Sequence, residues 1–266
     1  MISSHTHVKT ALITGSTSGI GLAIAAAMSA AGWRIALHGL GARDEVAKAI
    51  DEVSARGTAE SSPKHFEADL RSAAAARQLI VDVEDAMGHV DLLVNNAGIQ
   101  FTARVEDFPV SKWDEIIAIN LSSVFHVSAA MLPGMQERQH GRIINIASAH
   151  GLVASAEKAA YVAAKHGVVG LTKTIALENA KSDITCNAIC PGWVKTGLVE
   201  TQINKYMERN NVSYQDAMAA LLSGKEPSER FTTPDQIAAA VLFLASEAGN
   251  NITGISLAMD GGWTAQ

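Results

Sequence analysis

Seven short runs rich in aliphatic and β-branched residues alternate with longer stretches of helical period along most of this 266-residue chain. The runs are TALITG, WRIALHG, KHFEADL, VDLLVNNAG, GRIINIAS, ITCNAICPG and ISLAMDGG. Most are apolar on successive residues rather than on alternate ones, so both faces of the strands they form must be covered. Segments such as LAIAAAMSAAG, AARQLIVDVEDAMG and WDEIIAINLSSVFHVSAAMLPGMQE supply the covers. Strands separated by helices pair in parallel, through crossovers that are right-handed. The pattern predicts an α/β fold: a doubly wound, seven-stranded parallel sheet, with residues 1–266 forming a single domain.

One stretch departs from this rhythm. From Gly192 to Pro234 the chain is polar and helical in period, with no strand. An insertion after a late strand of such a fold sits above the carboxyl ends of the strands, where ligands bind, so residues 192–234 are read as a substrate lid. Elsewhere, 48% hydrophobic and 18% charged residues fill a sizeable core and exclude a disordered chain. A net charge of −6 gives no electrostatic reason to expect nucleic acid or an anionic membrane as partner. No run approaches the roughly 18 apolar residues of a membrane span, and MISSHTHVKT lacks the apolar core of a signal peptide. Cys186 and Cys190, four apart on one strand, lie too far apart to bridge, since a disulfide needs Cα atoms within about 7 Å. Two buried free thiols and a cytoplasmic protein are expected.

The first strand runs directly into Gly15-Ser16-Thr17-Ser18-Gly19-Ile20-Gly21 and then a helix. Gly15 permits the tight turn, Gly19 lets the backbone approach a pyrophosphate, and Gly21 lets helix and strand pack closely. The helix start presents free N–H groups to the anion. A nicotinamide dinucleotide is therefore expected here, with Ser16, Thr17 and Ile20 completing the loop. The second strand ends in His38-Gly39-Leu40-Gly41, with neither the acid that grips the ribose of NAD nor a base for the NADP phosphate. Leu40 would leave a 2′-phosphate uncompensated and Arg43 is the nearest cation, so NAD is favoured. Asp69 and Leu70 are placed to meet the adenine ring, and the Asn96-Ala97-Gly98 turn to pack beside the ribose.

Four residues form the expected reaction centre. Ser148 follows the fifth strand at its carboxyl edge; Tyr161 and Lys165, four apart, share one face of a helix; Asn120 lies in the preceding helix. A free tyrosine has a pKa of about 10, and a lysine ammonium about 4 Å away supplies roughly the 4 kcal/mol that brings it into the working range, to which the positive nicotinamide of the oxidised cofactor adds more. Tyr161 then takes the proton of an alcohol as hydride leaves, Ser148 holds the substrate oxygen, and Asn120 anchors a water chain to Lys165.

With TGSTSGIG, NNAG, the Asn120 helix, Ser148, YVAAK and CPG in place, the chain resembles the short-chain dehydrogenase/reductase family over essentially its full length. The resemblance implies an Asn120–Ser148–Tyr161–Lys165 tetrad, cofactor contacts from Pro191, Gly192, Val194 and Thr196, and a homotetramer. NNAGIQ, INIASAHGLVAS, AAYVAAKHGVVGLTK, AICPGWV, LVETQI and DGGW are similar to members that oxidise a short 3-hydroxy acid with NAD. That likeness implies that Gln100, His150, Lys158 and Gln202 hold the substrate carboxylate, two of them as cations, while Trp193 and Trp263 close the apolar side. No metal is implied. Two departures stand out: the missing acid after the second strand, and Lys195-Thr196-Gly197 where the family commonly has Thr-Pro. An NADPH-dependent 3-oxoacyl-thioester reductase would share fold and tetrad but require basic residues by the glycine loop. A non-catalytic NAD-sensing protein would lack the tyrosine or the lysine.

Overall fold

Each of the seven runs forms a parallel strand: β1 (Thr10–Ile13), β2 (Arg34–His38), β3 (Lys64–Phe66), β4 (Leu92–Asn95), β5 (His140–Ile146), β6 (Asp183–Pro191) and β7 (Ser256–Met259). They make one sheet in the order β3-β2-β1-β4-β5-β6-β7. The computed structural model describes residues 8–58 and 62–266; the segment 1–7, read above for a leader, lies outside them. Register explains the doubly apolar strands. Ile13, Leu37, Val94 and Ile144 face one core, while Leu12, Ala36, Leu93 and Ile143, one residue earlier on each strand, face the other.

The helices that cover these faces are α1 (Gly19–Ala30), α2 (Arg43–Arg56), α3 (Ala73–Met87), α4 (Val110–Ile117), α5 (Ser123–Arg138), α6 (Ala159–Glu178), α7 (Gly197–Asn210), α8 (Tyr214–Leu222) and α9 (Pro234–Ala245). Ile24 and Met28 of α1, Val53 of α2, and Ile237, Val241 and Leu244 of α9 complete the first core. Leu79, Ile80 and Val83 of α3, Met131 and Met135 of α5, and Ile175 of α6 complete the second. Each such side chain contributes about 1.5–3 kcal/mol on burial. The strand order reverses between β1 and β4, so the loops leaving their carboxyl ends diverge and open a crevice.

Three local differences from the sequence pattern have physical causes. β3 stops at Phe66 because its partner β2 ends at His38, the last paired residue. α4 and α5 are one continuous stretch, joined by a π-helical turn over Ala118–Ser122. At Val110–Arg138 this stretch is long and apolar enough to cross a membrane by length and composition, more so than the expected absence of such a run. Its apolar face is accounted for by the core, through Val124, Val127, Met131 and Met135. Residues 192–234 hold α7 and α8, with no strand among the described residues. They build a small cluster of their own around Val199, Ile203 and Ala217.

A polar network crosses the centre of the second core. Asn95 Nδ2 donates to Asn145 Oδ1 at 2.8 Å and to Ser128 Oγ at 3.1 Å; Asn145 Nδ2 donates to Thr172 Oγ1 at 2.8 Å. It ties β4, β5, α5 and α6 together immediately below the site. Asn145→Ala strands buried groups on both sides and is expected to cost about 2–4 kcal/mol, read as a lower denaturant midpoint at fixed protein concentration.

Candidate active site

The crevice at the switch point is a cleft of about 990 Å³ that runs from the β2 and β3 ends to the α7 helix. At its first end, Gly15 and Gly19 take φ of +62° and +56°, the left-handed region that glycine adopts without strain. A Cβ on Gly15 would also lie 2.8 Å from Ala97 Cα. Ser18, the N-cap of α1, makes no side-chain capping bond, whereas Ser72, Ser213 and Thr233 do so for α3, α8 and α9. The first-turn N–H groups of α1 are thus left to an anion. A nicotinamide dinucleotide fits this cradle: positive-φ glycines, an uncapped helix start and an elongated cleft lined by Gly15, Thr17, Gly19, Ile20, Leu40, Asp69, Leu70, Asn96, Ala97 and Gly98.

Two loop residues lie behind the cleft lining: Ser16, expected among the cofactor contacts, and Gly21, which packs closely as expected. Ser16 is buried, and its Oγ accepts from the His38 backbone N–H at 2.9 Å. Gly21 is buried where α1 meets the loop, and a Cβ there would lie 2.6 Å from Asn96 Nδ2. The Asn96 amide in turn donates to the carbonyls of Thr14 and Gly15, both at 2.9 Å. His38 fastens the loop from the other side. Its Nδ1 accepts from Gly15 N–H at 3.2 Å while Nε2 meets Ala68 O at 3.0 Å, and burial holds its pKa below the ordinary histidine value. The cation lining this end is Arg71, not Arg43. Asp69 grips it with three hydrogen bonds of 2.6–3.0 Å, and Leu40 beside it is 59% exposed.

At the inner end the cleft is walled by Ser148, Tyr161, Lys165, Pro191, Gly192, Val194 and Thr196. Tyr161 and Lys165 lie in the first two turns of α6, as their spacing predicts. Lys165 is buried; its Nζ donates to Ile146 O at 2.7 Å and lies 5.6 Å from the Tyr161 ring centre. Burial brings its pKa down to about 8. Burial pushes the Tyr161 phenol up, against a hydrogen bond from Ser148 that favours the phenolate. Lys165 and the positive nicotinamide of the oxidised cofactor are together expected to lower it; burial in the protein by itself works the other way. Asn120 is tied to the loop after β4. It is fully buried in the π-helical turn, and its amide is spent on Ile99, accepting from N–H and donating to O, both at 2.8 Å. Its side chain pins the loop after β4.

Beyond the tetrad, the cleft is lined by Gln100, His150, Lys158, Trp193, Gln202 and Trp263. Lys158 stands at the α6 N-cap, after Glu157 in a left-handed turn (φ +64°), with Nζ 5.6 Å from the Trp193 ring centre. Burial, then the nearby Lys225, lowers its pKa to about 8. His150 packs edge-on against Trp263 at 5.0 Å and Tyr161 at 5.9 Å. Burial, with Lys158 and Lys225 close by, drives its pKa to about 3. The expectation of two cations here is thus corrected to one, because a buried ring beside ammonium groups stays neutral.

Several contributors have no local signal in the sequence. Glu226, among the polar residues after α8, is buried; its carboxylate accepts from Trp193 N–H, and burial raises its pKa to about 7. Lys225 Nζ lies 5.2 Å from the Trp263 ring centre and donates to Ser155 Oγ. Both pack the segment after α8 against Trp193 and Trp263, which line the cleft.

A glycine-rich turn at the switch point of a parallel sheet, opening on a serine, a tyrosine and a buried lysine, defines a class. The chain belongs to the short-chain dehydrogenase/reductase family of oxidoreductases, and the family model described as enoyl-(acyl carrier protein) reductase matches residues 15–264. D-beta-hydroxybutyrate dehydrogenase of Rhizobium meliloti (strain 1021) is 50% identical over 258 residues, covering 97% of this chain and 99% of that one. The enzyme of the same name from Cupriavidus necator is also 50% identical, with 97% and 98% covered. Among solved structures, a variant of actinorhodin polyketide ketoreductase with NADPH superposes with a TM-score of 0.90 at 34% identity, covering 97% and 98% of the two chains.

The cradle yields one direct expectation. Gly15→Val places a branched side chain against Ala97 in a left-handed turn and should abolish dinucleotide binding, measured by calorimetry. Thermal unfolding should show a cooperative transition throughout.

Proposed function

We propose that this chain catalyses the reversible oxidation of D-3-hydroxybutyrate to acetoacetate with NAD. The observation that carries the reading is the common wall shared by Lys158, Gln100 and Gln202 with Ser148 and Tyr161. A cation and two amides lining the same cleft as a proton-transfer group suit a short carboxylate, through charge-assisted hydrogen bonds. Identity of 50% to two enzymes of that name supports the same substrate. NAD is favoured over NADP because Asp69 already neutralises Arg71, the cation on the adenosine side, and Leu40 offers a phosphate nothing.

In this reaction the bound nicotinamide supplies the hydride acceptor and, in its oxidised form, a positive charge. The residues of the chain do the rest. Lys158, Gln100 and Gln202 fix the carboxylate, Trp193 and Trp263 exclude water from the apolar side, and Ser148 holds the alcohol oxygen. Tyr161 Oη, as phenolate, takes the hydroxyl proton while the C–H bond gives up its electron pair and the C=O bond forms. Lys165 keeps positive charge at the tyrosine, and Asn120 steadies the loop beneath it through Ile99. Residues 192–234, with α7 and α8, act as the lid of a single-domain enzyme. The reading extends to a cytosolic homotetramer, for which exposed Phe125, Leu177 and Phe243 offer apolar contact. Free Cys186 and Cys190, whose pKa values burial raises to about 12 and 11, suit a reducing compartment.

The test is an absorbance assay for reduced nicotinamide with D- and L-3-hydroxybutyrate, each with NAD and NADP. Reduction of NAD by the D-acid is expected to dominate; its absence would overturn the proposal. Tyr161→Phe should lower kcat by at least about a hundredfold yet retain NADH binding. Lys158→Ala should raise KM for the acid roughly ten- to a hundredfold, as expected for one lost charge-assisted contact.

The pH dependence has a definite sign. The Lys158 ammonium is present below its pKa of about 8 and is lost above it. KM for the acid should therefore climb as pH passes through 8 in the wild type. In Lys158→Ala it should already be high and stay flat across the same range.

A further inference from the structure

A line of side chains leads from Ser148 away from the cleft. Ser148 Oγ accepts from the backbone N–H of His150 at 3.1 Å and lies 3.4 Å from His150 Nδ1. On the far side of the same ring, Nε2 is 2.9 Å from Ser155 Oγ, which in turn accepts from Lys225 Nζ at 3.5 Å. Neither Ser155 nor Lys225 is among the residues that line the cleft. Both ring nitrogens of His150 are thus engaged within the protein, although its ring forms part of the cleft wall.

A neutral imidazole carries one ring proton, and two arrangements satisfy these distances. With the proton on Nε2, His150 donates to Ser155, and Ser148 must give its own hydroxyl proton to Nδ1. With the proton on Nδ1, Ser155 donates to Nε2 and Ser148 receives two N–H groups from His150. Its hydroxyl proton is then free for the cleft: for Tyr161, with which it shares a hydrogen bond in the protein alone, and for the alcohol oxygen when substrate is bound. Lys225 selects between them. An ammonium group only donates, so it occupies a lone pair of Ser155 Oγ and polarises that hydroxyl. A polarised hydroxyl gives its proton more readily and accepts a second N–H less readily.

We infer that Ser155 and Lys225 hold His150 in its Nδ1–H tautomer, and that His150 is thereby a positioning residue that keeps the Ser148 hydroxyl proton directed into the cleft, at Tyr161 in the free protein and at the alcohol oxygen when substrate is bound. This assigns Ser155 and Lys225 to the reaction although neither touches the substrate. Lys225 comes from the segment after α8, so the seating of that segment and the readiness of the proton acceptor become one event. The inference rests on the proposed dehydrogenase reading for its kinetic consequences, but the tautomer itself does not depend on any substrate.

Nitrogen-15 histidine NMR of the full chain reads the tautomer directly, with His150 assigned by its disappearance in His150→Gln. The expected spectrum has a protonated Nδ1 and an acceptor Nε2, and Ser155→Ala should lose that pattern. In turnover of D-3-hydroxybutyrate, Ser155→Ala should lower kcat roughly ten- to a hundredfold, as for other small misplacements, with KM changed less than about threefold. Ser155→Thr, which restores the hydroxyl, should recover the rate. Lys225→Met should act in the same direction, and Lys225→Arg should recover. A protonated Nε2 in the wild type would overturn the inference, as would a Ser155→Ala variant that raises KM while leaving kcat intact. Failure of the wild type to oxidise the D-acid would count against the substrate assignment alone, since the tautomer spectrum stands apart from it.

Discussion

The ammonium of Lys165 is carried into the protein with a carbonyl, that of Ile146, as its hydrogen-bond partner. Burying such a charge is costly, and the structure accepts a pKa lowered to about 8 in exchange for a cation beside a buried phenol. The surrounding architecture follows from that placement. β5 ends at Ile146 so that its last carbonyl faces α6. α6 begins immediately before Tyr161, so the tyrosine and the lysine share its inner face. Gly151 permits the 3-10 turn after β5 to pack on α6, since a Cβ there would lie 2.8 Å from Lys165 O.

Around that charge the remaining polar groups are arranged to leave few free partners. Asn95, Asn145 and Thr172 satisfy one another below the site, Asn120 is consumed by Ile99, and His38 is consumed by the glycine loop and Ala68. Such fully bonded networks hold side chains in single geometries, which a proton acceptor requires. Among the described residues, the donors that line the cleft are the start of α1, for the dinucleotide, and Lys158 with two amides, for the proposed acid. Glu226 and Lys225 tie the segment after α8 to two residues of the cleft wall, Trp193 and Trp263.

The fold was legible because its signals are local. Apolar residues on both faces of short runs require covering layers, and a glycine loop between a first strand and a first helix has one common use. Tyr161 and Lys165 were legible for the same reason, since helical spacing alone puts them on one face. What was not legible depends on contacts between distant segments. His150 looks like a cation until burial and two lysines are placed around it. Glu226 sits among lysine, proline, serine and arginine and reads as a surface acid, yet the backbone of Trp193 holds it inside. Asn120 was found by its motif, but its use on Ile99 follows from a π-helical turn that nothing in AINLS announces. Arg71 carries no signal of its own, because its place at the adenosine end depends on Asp69, two residues away across a turn.

The central claim is that Lys165 makes Tyr161 a proton acceptor at neutral pH once the oxidised dinucleotide is present. Ultraviolet difference titration of tyrosinate tests it most directly, with Tyr161→Phe subtracted to isolate the one phenol. With NAD bound, the wild type should ionise near neutral pH, and Lys165→Met should move that transition up to or beyond the ordinary tyrosine range. An unchanged midpoint in Lys165→Met, or a Tyr161 that stays protonated into the alkaline range in the wild type, would contradict the account.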